Sequence, residues 1–146
     1  MHARDAKLLL VMDAVRPLVP GPILDNVSTT ITAIKTRQIS GLPRLIVRPG
    51  REEPQRSSQG TDTGPPNILR KLPIEITVVG ESRAQISDVL AAVEKAIPWT
   101  DAATGKALFE LGDTQHTDED AGSRVLYLAM LTIATTYQTG LGQPDA

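Results

Sequence analysis

The sequence predicts an α+β domain, a mainly antiparallel sheet with two helices packed on it, in the order α-β-β-β-α-β-β. Three observations carry this expectation. Residues 123–137 form a single run of β-branched, aromatic and aliphatic side chains, apolar on both alternating faces. Val125, Tyr127, Ala129, Leu131, Ile133 and Tyr137 point one way, and Leu126, Leu128, Met130 and Ala134 the other. A strand of this kind lies inside a sheet and is packed on each face; it also exceeds the usual strand length of roughly five or six residues. Second, Ile86, Val89, Leu90, Val93 and Ile97 recur at helical spacing between two strand-like runs. Third, Pro, Gly and Ser punctuate the chain between short β-rich segments. The 146 residues suffice for one core and are too few for two comfortable ones, so 1–146 is read as a single domain.

The elements follow in order. Residues 4–16 read as a helix, with Leu8, Met12 and Val15 on one face, Val11 beside them and Pro17 as its stop. Pro17, Pro20, Gly21 and Pro22 make a stiff connector. Residues 28–37 are rich in Thr and Ile and read as a strand, Ile31 and Ala33 opposing Thr32 and Ile34. Residues 43–48 read as a second, shorter strand. Residues 50–66 hold almost nothing apolar and are expected to be a flexible loop, either disordered or a contact arm that orders on assembly. Residues 69–81 are a strand. Ser82 then caps a helix over 82–97, with Gln85 at the capping-box position and Pro98 at the end. A strand starting at 107–111 extends through Thr117 and turns at Asp120-Ala121-Gly122 into the final strand. Residues 138–146 are expected to be a flexible C-terminal tail.

Fifteen basic and seventeen acidic side chains leave a net charge of −2, so no global field draws the chain to nucleic acid or membrane. The charge is unevenly placed. Residues 1–56 hold nine basic and five acidic groups, net +4, whereas residues 57–146 hold six and twelve, net −6. Halves of opposite sign suit head-to-tail contact between copies or contact with unlike neighbours; scatter on a solvated surface is the plainer reading. Cysteine is absent, which excludes disulfides, thiolate metal sites and cysteine nucleophiles and fits a reducing cytoplasm. The run Leu8-Leu9-Leu10-Val11-Met12 is too short for a signal h-region, and no stretch approaches the roughly 20 apolar residues of a membrane span.

No motif for catalysis emerges. His2 sits near the N-terminus and His116 in an acidic, polar stretch; a metal site from His116, Asp113 and Asp118 lacks a second histidine, and a solvated hairpin end explains it better. There is no G-x-S-x-G, no P-loop and no G-x-G-x-x-G after a strand. Asp118-Glu119-Asp120 lacks the spaced ligands of an EF-hand loop and reads as an acidic turn or subunit contact. With one Phe, one Trp and two Tyr, the basic residues Arg44, Arg48, Arg51 and Arg56 have few stacking partners for single-stranded nucleic acid. Trp99 reads as closing the end of the core, with a surface anchor as the alternative. No cofactor is expected.

Four features together resemble the tail terminator proteins of long-tailed bacteriophages, the lambda-like minor tail protein that caps the tail tube. They are the short strand Leu42-Pro43-Arg44-Leu45-Ile46-Val47; the polar loop leading into Leu72-Pro73-Ile74-Glu75-Ile76-Thr77-Val78; the helix over 82–97 ending in Ile97-Pro98; and Asp118-Glu119-Asp120-Ala121-Gly122 followed by a long strand closing in Thr135-Thr136-Tyr137. The resemblance covers residues 8–137. It implies a structural virion protein, not an enzyme: a hexameric ring on the last tail-tube ring that halts polymerisation and offers the head-neck attachment surface. The implied partners are other copies of the chain, the major tail-tube protein and the head-neck connector, with genome DNA passing through the lumen without specific binding and no membrane contact. The implied location is the neck-proximal end of the virion tail, after assembly in the host cytoplasm. The longer Pro/Gly/Ser loop and the Gly-rich C-terminal tail depart from the family. Charge suggests an assembly interface built from Arg44, Arg48, Arg51 and Arg56 against Asp118, Glu119 and Asp120, with Arg124 beside them. The competing readings are another phage neck, tail-completion or tail-tube protein, and a small bacterial α+β ligand-binding or enzyme domain.

Overall fold

The computed structural model describes residues 3–57, 67–120 and 124–140. Helix α1 (Ala3–Val15) ends where Pro17 removes a backbone donor, and a 3-10 turn, Arg16–Leu18, carries the chain on. Val11 and Val15 are fully buried, with Leu8 and Met12 packed beside them. The apolar face anticipated for this helix is the one that meets the core.

The segment expected as a strand over 28–37 is instead helix α2 (Val27–Lys35). Its β-branched residues favour strands only weakly, and tertiary packing overrides that preference. Asn26 caps it, the side-chain oxygen accepting from the Thr29 N–H at 3.0 Å, and the Thr30 hydroxyl donates to the Asn26 carbonyl at 2.7 Å. Val27, Ile31 and Ile34 then fall on one stripe and pack on the sheet. Among the described residues three α-helices, not two, therefore cover the sheet.

That sheet has five strands, β1 (Arg44–Pro49), β2 (Glu53–Ser57), β3 (Asn67–Gly80), β4 (Glu110–Asp120) and β5 (Val125–Gly140). The order is β1-β3-β5-β4, all neighbours antiparallel, and β2 pairs with the same edge of β3 that β1 uses higher up. β1 lies against 74–79 of β3 and β2 against 68–71, with a bulge between Pro54 and Arg56. Strand β2 corrects the expectation of a flexible loop over 50–66 for residues 53–57. Its sequence, Glu-Pro-Gln-Arg-Ser, has no apolar alternation, and it joins the sheet through its ladder with β3. Residues 58–66 lie outside the described residues, as do 121–123 at the expected acidic turn and 141–146 of the expected tail; 138–140 belong to β5.

Helix α3 (Arg83–Ala96) starts as its sequence indicates. The Ser82 hydroxyl accepts from the Gln85 N–H at 3.1 Å, while the Gln85 side chain accepts from the Glu81 N–H at 2.7 Å, one residue earlier than a standard capping box. Ile86, Val89, Val93 and Ile97 bury against Leu72, Ile74, Ile76 and Val78 of β3 and Ala129, Leu131 and Ile133 of β5. On the opposite face, α2 covers Ile46, Val79, Leu126 and Leu128. Strand β5 is thus interior to the sheet, and the two faces read from its alternation are the two faces observed. Toward its C-terminal half only the α1/α3 side is fully packed; Met130, Thr132 and Ala134 are half-buried and Thr136 is exposed.

Between α3 and β4 the chain folds back on itself. The Trp99 indole donates to the Glu94 carbonyl at 2.7 Å, and the Leu108 N–H reaches the Trp99 carbonyl at 2.7 Å. Trp99 is partly buried against the main core. The Thr135 hydroxyl, buried within β5, donates to the Leu108 carbonyl at 2.8 Å and ties this loop to the sheet. β4 begins three residues later than its expected start at Ala107, which instead makes an isolated bridge with Thr100.

Candidate assembly surfaces

The charge asymmetry of the sequence becomes a geometric one. β4 and β1 are the outermost strands of the path β1-β3-β5-β4, so the acidic and basic segments occupy opposite edges of one sheet. β4 carries Glu110, Asp113, Asp118, Glu119 and Asp120 and no Lys or Arg, and all but Glu119 are exposed. Asp118 pairs with Arg83 at 3.3 Å and Glu119 with Lys35 at 3.8 Å. Arg124, just before β5, reaches Glu81 at 3.8 Å. These four expected contact residues gather at one end of the β4–β5 ribbon.

The basic residues do not gather in the same way. Arg48 projects from β1 and lies 3.6 Å from Glu75 on the neighbouring strand. Arg51 is exposed between β1 and β2, and Arg56 occupies β2 opposite Leu69. Arg44 is turned into the fold: its Nε donates to the Gly41 carbonyl at 2.6 Å and its guanidinium lies against Gly21. Arg44 therefore clamps the connector onto β1. All the ion pairs named here are at least partly solvated, and such pairs contribute roughly 0–1 kcal/mol each, so their arrangement bears on partner choice more than on stability.

The two edges also differ in backbone chemistry. Along β1 two outer groups are satisfied: the Leu24 N–H donates to the Leu45 carbonyl at 3.0 Å, and the Val47 N–H donates to the Leu24 carbonyl at 2.9 Å. β4 has no second neighbour among the described residues. A long free edge is a template for pairing with another chain, and proteins restrain it with charge and bulges. β4 shows both devices, its acidic residues and a register shift between Leu111 and Thr114.

Because α3 lies over β3 and β5, the α1/α3 face of β4 is left bare and a groove of about 740 Å³ runs between α3 and β4. Ala91, Ala92, Trp99 and Leu111 line it together with Asp88, Glu94 and Lys95. Further along the same seam Arg83, Ser87, His116, Asp118 and Tyr127 surround a more polar recess, where the Arg83 guanidinium stands 5.8 Å from the Tyr127 ring centre. His116 is an exposed residue of this edge strand, and no group of His, Asp and Glu with metal-binding geometry occurs among the described residues. Leu111 was not singled out by its sequence context. Its isolation within an otherwise polar strand is the signal that marks it.

No protein-family model matches the chain, and neither does any curated protein. Among the described residues no helix is long and apolar enough to cross a membrane.

Proposed function

We propose that this chain is a structural subunit that assembles head to tail into a closed ring, of six copies in the tail terminators it resembles, and caps the tail tube of a long-tailed bacteriophage. In this role it stops tube polymerisation and presents a surface to the head-neck connector, while genome DNA passes through the lumen without specific binding. The observation that carries the reading is the presence of two unlike edges: β4, acidic and with no second neighbour among the described residues, and β1, which carries Arg48 and is bridged on its outer side by Leu24. A subunit with two different, complementary sides makes a heterologous contact, and heterologous contacts close into rings when the rotation per subunit divides a full turn. The role requires no catalysis, and the free protein would assemble in the host cytoplasm before joining the virion tail.

A tail-tube subunit or another neck or tail-completion protein would use the same unlike edges. Negative-stain microscopy of the purified chain separates these readings. The proposal expects single rings that do not lengthen with concentration, and expects that adding them to growing tubes arrests elongation. Stacked tubes from the chain alone would make it a tube subunit, and uninhibited tube growth would remove the capping role.

A further inference from the structure

We draw no further inference here: the strongest candidate, the long outer edge of β4 at the end of the sheet, has no second neighbour among the described residues, yet its acidic side chains and register shift are the devices that keep such an edge apart from other chains, and nothing in the structure shows what covers it.

Discussion

Gly21 and Arg44 are 23 positions apart in sequence, yet they fix each other. Gly21 has φ of 77°, a left-handed conformation that side chains rarely adopt, and a methyl group there would overlap the Arg44 guanidinium. Gly21→Ala is expected to lower stability by about 1–2 kcal/mol from the backbone conformation alone, read as a shift in urea midpoint; an unchanged midpoint would mean that the connector does not hold this geometry. Gly112 has a different reason for being glycine. A Cβ there would come within 2.7 Å of the Thr132 carbonyl, at the place where β4 slips register. The role of Ser82 was legible from sequence because a cap acts within four residues. Ser82→Ala should cost about 1 kcal/mol, and calorimetry showing no change in melting would remove its capping role. Arg44 was not legible as a clamp, because its partners arrive from a connector whose path only the fold determines.

At the scale of elements, what decided legibility was whether an element's own side chains carry its reason for existing. α3 and β5 have deep apolar patterns and sit where their patterns place them. Val93 is fully buried on α3, so Val93→Asp puts a charge into the main core and should cost several kcal/mol, comparable to the whole stability of a small domain. Circular dichroism melting of that variant at wild-type temperature would show the face to be misassigned. α2 misled because Thr and Ile dominate its composition; the Asn26 cap and the 27-31-34 spacing were present but outweighed. β2 was unreadable for a different reason: its sequence carries no apolar alternation, and pairing with the edge of β3 beside it makes the strand.

For the molecule as a whole, the unequal charge of the two halves was visible in the sequence, but not that a sheet would carry them to opposite edges. That placement depends on strand order, which no local pattern encodes. The expected consequence concerns association. Replacing Asp118, Glu119 and Asp120 with Lys should slow assembly and weaken its salt dependence while leaving the monomer folded, since these groups contribute roughly 0–1 kcal/mol each to the fold. Changing Arg48 and Arg51 to Glu in the same chain should partly restore assembly; Arg44 is left unchanged because its hydrogen bond to Gly41 belongs to the fold. Light scattering of both variants at low and moderate salt checks this, and equal rates for wild type and the acidic-edge variant would mean that these edges do not meet.

The two central strands also set how the domain carries load. β3 and β5 are paired over fourteen positions, from Asn67 opposite Gly140 to Gly80 opposite Tyr127. Hydrogen bonds in an antiparallel ladder run perpendicular to the strands. Tension along the strands therefore shears the whole ladder at once, whereas tension across them peels it one rung at a time. The fold is mechanically stiff along one axis and compliant along another, so the direction in which a subunit is pulled decides whether it holds or unzips.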